Sequence, residues 1–232
     1  MRTLIFGLLA LFIMETLFVG LASAFCRQPR PLPVCAELFY SNAVFVGTVL
    51  SDRVIPATGD MYHLKNVRPL RGNLQNEVEV FSENSSGRFP MEIGKSYLLF
   101  VKRDPEGNFE VDNCGNSGAL PEAKFIIDQV EDLLKNPKSG GVIEGQITIP
   151  PHFGKLAGAN VIIIGEQQTF TGVTGEDGWF HVNVPLGNYT VMPEDADYEI
   201  SPMDITYDSP DHVIIDNNGS CAELAFEARS KK

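Results

Sequence analysis

The stretch Leu156–Val191 constrains the fold more than any other, because it alternates short apolar runs with turns whose residue types have physical reasons. Leu156-Ala157-Gly158-Ala159 leads into an apolar strand over Val161–Ile164. Glu176-Asp177-Gly178 reads as a tight turn in which the glycine takes positive φ without a Cβ clash. From Trp179 to Val184 the chain alternates, with Phe180, Val182 and Val184 on one face and Trp179, His181 and Asn183 on the other. Pro185-Leu186-Gly187-Asn188 turns it again into Tyr189-Thr190-Val191. The pattern predicts a small β-sandwich and carries no evident catalytic machinery.

The N-terminus has the form of a secretory leader over residues 1–24. Arg2 supplies the positive start, Leu4 to Leu21 the apolar segment and Ala22-Ser23-Ala24 the small-residue cleavage site. Glu15 interrupts the apolar segment, and a retained membrane anchor is the competing reading. Cys26 also raises lipidation, against which the bulky Phe25 stands. A membrane enters only through such an anchor or lipid. Cleavage after Ala24 leaves a mature chain that starts Phe25-Cys26, secreted, extracellular or periplasmic.

The mature length suits two small domains at roughly 100 residues each. The net charge of −12 survives cleavage, because Arg2 and Glu15 cancel. Such a charge argues against nucleic acid or an anionic membrane surface as a main partner and for solubility outside the cell.

Four cysteines remain after export, Cys26, Cys35, Cys114 and Cys221. In an oxidising compartment an even count favours two disulfides, for which three connectivities are open. Zinc is the competing reading. The cysteines lack finger spacing and the histidines (His63, His152, His181, His212) are scattered, so no metal and no cofactor is expected.

The first domain, residues 25–136, opens with the Pro-rich segment Arg27–Pro33 and a short helical patch at Cys35–Ser41. Strand signals follow at Ala43–Leu50, Met61–Val67, Glu77–Phe81, Ser96–Lys102 and Phe109–Val111, separated by turns rich in Gly, Pro and Asn. Five short strands suggest a small antiparallel barrel or sandwich. One helix runs from Pro121 to Asn136, with Phe125, Ile126, Val130, Leu133 and Leu134 at helical spacing. Residues 137–141 read as a linker. The second domain, 142–229, adds strands near Glu199–Pro202, Asp211–Asp216 and Cys221–Ala228, and Arg229–Lys232 reads as a frayed tail.

At the second domain the residues form a recognisable pattern. Gly145-Gln146-Ile147, Leu156 to Val161, Thr174, Asp177-Gly178-Trp179-Phe180 and Pro185 to Tyr189 resemble the carboxypeptidase regulatory-like domain. The resemblance implies a transthyretin-like sandwich, related to carbohydrate-binding-like folds, that serves as a non-catalytic extracellular module. Adhesin repeats of related shape carry a Lys–Asn isopeptide crosslink; Val142–Ile149 has no lysine, so none is expected.

The first domain resembles the netrin-like domain of tissue inhibitors of metalloproteinases, through Cys26, Ala43 to Val49, Gly94 to Phe100 and Cys114-Gly115-Asn116-Ser117. That implies an OB-fold barrel flanked by helix. In those inhibitors an N-terminal cysteine chelates the protease zinc through its free α-amino group. Phe25 ahead of Cys26 displaces that amine, and the next cysteine is as far as Cys35. The alternative implied by the resemblance is that Cys26 or Cys35 pairs with Cys114 to staple the N-terminal segment to the barrel.

Hydrolase motifs are missing: no Gly-x-Ser-x-Gly elbow, no His-Glu-x-x-His helix, no phosphate loop. Ser117 near Cys114 has no histidine close in sequence. Trp179, His181 and Asn183 form a polar-aromatic face that either stacks on a sugar or is an ordinary solvent face. Glu194, Asp195, Asp197 and Glu199 offer calcium oxygen ligands in no known loop spacing, and a solvated loop is the competing reading. Asn84, Asn188 and Asn218 head glycosylation sequons, without meaning if the source is bacterial, as the domain pairing suggests.

The expectation is therefore a mainly β protein: an OB-fold-like β-barrel with a flanking C-terminal helix, then a small Ig- or transthyretin-like β-sandwich. Its expected role is non-enzymatic recognition of an extracellular protein or glycan, with Phe25, Cys26, Trp179, His181 and Tyr198 as candidate binding residues. Metalloprotease inhibition and carbohydrate binding are the alternatives. An enzyme would place His63, His152, His181 or His212 beside a carboxylate or serine in a cleft.

Overall fold

The structure, a computed structural model, describes residues 32–151, 154–203 and 212–231. The leader, Phe25, Cys26 and His152 lie outside them. Ala43–Ile55 (β1) and Gly59–Arg71 (β2) form a hairpin longer than the sequence signals implied, because both strands run on to the turn at Pro56–Thr58. Strand β2 pairs with Val78–Glu83 (β3), and β1 pairs on its other side with Ser96–Arg103 (β4). Phe109–Glu110 (β5) closes the ring, parallel to β3 and antiparallel to β4. The order β1-β2-β3-β5-β4-β1 is a closed five-stranded barrel of OB-fold type.

One parallel step departs from the all-antiparallel expectation, and geometry requires it. Strand directions cannot alternate at every step around a ring with an odd number of members. Register shifts in β1 at Val44/Phe45, Val46/Thr48 and Val49/Ser51 let that strand bend and pair on both edges. In β4, Tyr97, Leu99 and Val101 fill the barrel while Leu98 and Phe100 face outward against helices. Burial on both faces explains why β4 reads as a continuous apolar run.

Two helices cover that outer side, Val34–Tyr40 (α1) and Lys124–Lys135 (α2). Gly118–Ala119 (β6) adds to β4 just before α2. The stripe of α2 that meets the barrel is Ala123, Ile127 and Val130, spaced i, i+4, i+7, with Ile126 and Leu133 flanking it. Phe125 and Leu134, assigned to this stripe from spacing alone, are exposed instead.

The remaining strands form a two-sheet sandwich. Gly141–Ile149 (β7) begins inside the segment read as a linker and ends against Gly154–Lys155 (β8). One sheet has the order β10-β9-β12-β14: Thr169–Val173 (β10), Asn160–Gly165 (β9), Gly187–Glu194 (β12) and His212–Ile215 (β14). In the other, Trp179–Val184 (β11) pairs with β7, which runs parallel to Cys221–Ser230 (β15), and Tyr198–Pro202 (β13) forms the far edge. Phe180, Val182 and Val184 point inward as the alternation required, onto a core with Ile143, Ile163, Leu224 and Phe226. Gly178 has φ +73°, and a Cβ there would lie 2.8 Å from the Ile147 carbonyl oxygen, so the turn before β11 demands glycine.

Up to Lys231, the last described residue, the C-terminal tail is not frayed. Arg229 and Ser230 belong to β15 opposite Glu199 and Tyr198, and the Lys231 amide donates to the Asp197 carbonyl at 3.0 Å.

Candidate functional site

Helix α1 is the piece of the barrel that meets the sandwich, and its short sequence serves three surroundings at once. Val34 and Leu38, four residues apart, pack on the barrel with α2. Cys35, Ala36 and Tyr40, with Leu32 ahead of the helix, pack against Cys221 and Val142 on the outer face of β15 and β7. Cys35 forms a disulfide with Cys221 across 186 residues of sequence. Cys35 therefore does not pair with Cys114: it lies on the sandwich side of α1, where Cys221 meets it. Cys114 is itself disulfide-bonded, and no cysteine among the described residues is free.

Beside this junction Glu37 is buried. The Asn116 backbone amide and side-chain Nδ2 both donate to Glu37 Oε2, at 2.6 Å each, and Nδ2 also donates to the Leu32 carbonyl at 2.7 Å. A Cβ on Gly115 would overlap the Glu37 carboxylate, so any larger residue there would have to displace that carboxylate from its place against Asn116. Burial pushes the Glu37 pKa up to about 7, opposed by the two hydrogen bonds from Asn116, which favour the charged carboxylate. Lys102, over the Tyr40 ring at 5.8 Å, is lowered by burial, opposed by Asp112, Glu37 and Glu110. The linker is tied to the same place. Gly140 N donates to Asn218 Oδ1 at 2.9 Å and Gly219 N donates to the Gly140 carbonyl at 2.8 Å.

From the junction, rows of outward side chains cross the sheet. Val142 lies opposite Cys221, then Glu144 opposite both Glu223 and His181, then Gln146 opposite Ala225 and Trp179. His181 Nδ1 lies 2.7 Å from Glu144 Oε2, and the Trp179 and His181 rings stack at 6.1 Å. His181 and Trp179 are thus brought together, one and two rows from the clamp. Trp179 is half-buried, and Gln146 Nε2 donates to the Asp177 carbonyl at 3.0 Å beside it. Tyr198 is not part of this group. It packs on the sandwich core from β13, the opposite edge of the same sheet.

Other candidate residues have structural partners. Ser117 Oγ accepts the Phe100 amide at 3.0 Å, and His63 Nε2 lies 3.0 Å from Glu77 Oε2 on the surface. In the acidic loop Asp195 Oδ1 accepts the amides of Asp197 and Tyr198, while Lys231 Nζ donates to the carbonyls of Asp195 and Ala196. Among the described residues, no group of three or more His, Cys, Asp or Glu is placed to hold a metal ion.

Sequence reasoning missed Glu37, Asn116 and Tyr40. The signal available was a carboxylate inside an apolar helical patch, with a Gly-Asn pair following a cysteine. No family model and no curated protein sequence matches the chain. Among solved structures it is similar to a C-terminal fragment of the pilus adhesin SpaC from Lactobacillus rhamnosus GG. The match has 11% identity over 84% of this chain and 91% of that one, with a TM-score of 0.30. A superposition this loose assigns neither fold nor partner.

Proposed function

We propose that the protein is an exported, non-catalytic binding scaffold, in which a netrin-like barrel and a carboxypeptidase-regulatory-like sandwich are held in one fixed relation to recognise an extracellular protein or glycan. The observation that carries this reading is the Cys35–Cys221 disulfide, set in the apolar cluster where α1 meets β7 and β15. Such a bond persists in oxidising compartments and is reduced in most cytosols, which supports export. A locked pair of β modules presents a surface that needs little ordering when it binds. The barrel's strand order supports the netrin-like reading, and the two-sheet sandwich with its Gly178 turn supports the other. The Trp179–His181–Glu144 group beside the clamp is the favoured seat of recognition.

The test uses arrays of extracellular matrix proteins and of glycans, probed with the exported protein and with Trp179→Ala. Expected is saturable binding to at least one class that Trp179→Ala weakens, and no turnover of peptide, ester or glycoside substrates. Turnover lost on His63→Ala or His181→Ala would overturn the reading.

A further inference from the structure

The solvent face of the sheet β10-β9-β12-β14 has a composition unlike the rest of the surface. Its rows are Val173, Asn160 and Glu194, then Thr171, Ile162 and Met192, then Thr169, Ile164 and Thr190, with Ile214 opposite Asn188. Alternation fixes which side chains face out, since Val161, Ile163, Tyr189, Val191, Val213 and Ile215 lie in the core. Ile164 is 41%, Met192 45%, Val173 59% and Ile214 66% exposed, on one face of the four-stranded sheet. Exposed aliphatics normally occur singly, and a cluster of this kind marks contact with another molecule.

Charge selects the occupant. From Lys155 to Arg229 the chain has no lysine or arginine between the two, and thirteen carboxylates. Glu194 stands at one end of the face, and Glu166 follows β9 at another. A second copy would bring two such strongly acidic modules together, and an anionic membrane would be repelled in the same way. A basic protein surface meets both features. The aliphatic stems of its lysines or arginines lie on Ile162, Ile164 and Met192, and their charged ends reach Glu194. We propose that this face docks a basic protein surface; the inference rests on the binding-scaffold reading and assigns it a second, separate surface, since α1 and the clamp meet the outer face of the other sheet, at Cys221 and Val142.

The experiment uses the isotope-labelled exported protein and a capped octapeptide of alternating lysine and valine, mapped by amide chemical shifts. Expected are shifts concentrated at residues 160–164, 169–173, 188–194 and 212–215. The double variant Ile164→Ser/Met192→Ser should weaken binding about tenfold, from the apolar contact it removes. Glu194→Gln should weaken it about threefold, and Glu176→Gln, off this face, should leave it unchanged. No binding, or shifts spread over the acidic loops with affinity indifferent to the double variant, overturns the proposal. So does concentration-dependent dimerisation abolished by the same variant, which would make a second copy the occupant. Catalytic turnover would overturn the scaffold reading while leaving this map intact, so the two failures are distinguishable.

Discussion

Glu37 lies under Gly115 and against Asn116, and burial raises its pKa from 4.5 to about 7. Between those two values the folded protein keeps a proton that the unfolded chain releases. Stability therefore falls as pH rises through this window and levels off above pH 7. Glu37→Gln keeps an oxygen for the Asn116 donors and removes the charge. Expected is little difference from the parent protein near pH 4.5, and a gain of roughly 1–3 kcal/mol above pH 7, read from urea midpoints at pH 5 and pH 8. Parallel pH profiles for the two proteins would contradict the assignment. The identities of these residues were visible in the sequence but their association was not, because Glu37 and Asn116 are far apart in the chain and meet only after the barrel closes. Trp179 and His181 were legible as neighbours because strand alternation places them on one face, whereas Tyr198 shares neither that face nor that edge.

At the level of elements, local pattern was most informative where one rule governs the whole segment. The alternation in β11 and the apolar run of β4 follow directly from burial on one face or on both. Helix α2 was located but rotated, since several apolar residues are compatible with a stripe and only the barrel decides among them. The corrected stripe has a direct consequence. Ile127→Ala, which opens a void against α1 and β4, should cost about 2–4 kcal/mol, while Phe125→Ala should stay within about 0.5 kcal/mol. Denaturant unfolding of the two variants distinguishes the assignments, and a larger loss for Phe125→Ala would restore the sequence-based stripe. The C-terminal tail was misread for a similar reason. Its residues carry no strong strand signal, yet β13 offers an open edge and Lys231 finds carbonyls in the acidic loop.

For the whole molecule, the two-part β organisation was legible from composition and turn chemistry, but the relation between the parts was not. Cysteine spacing leaves connectivity open. The resemblance offered Cys26 or Cys35 as the partner of Cys114; the structure gives Cys35 to Cys221, joining barrel to sandwich, and Cys114 to a different disulfide. In the chain-entropy picture a crosslink across 186 residues contributes up to about 5 kcal/mol. Cys35→Ser/Cys221→Ser should therefore lower the melting temperature and let the two parts move independently. A broadened small-angle scattering distance distribution would reveal that motion. An unchanged melting temperature and scattering profile would mean that the apolar contact alone sets the arrangement. The most direct test is proteolysis of the unreduced protein, expressed with its N-terminal segment, followed by mass spectrometry of linked peptides. A peptide containing Cys35 joined to one containing Cys221 is expected, and a Cys35–Cys114 link or a free Cys35 thiol would contradict the clamp.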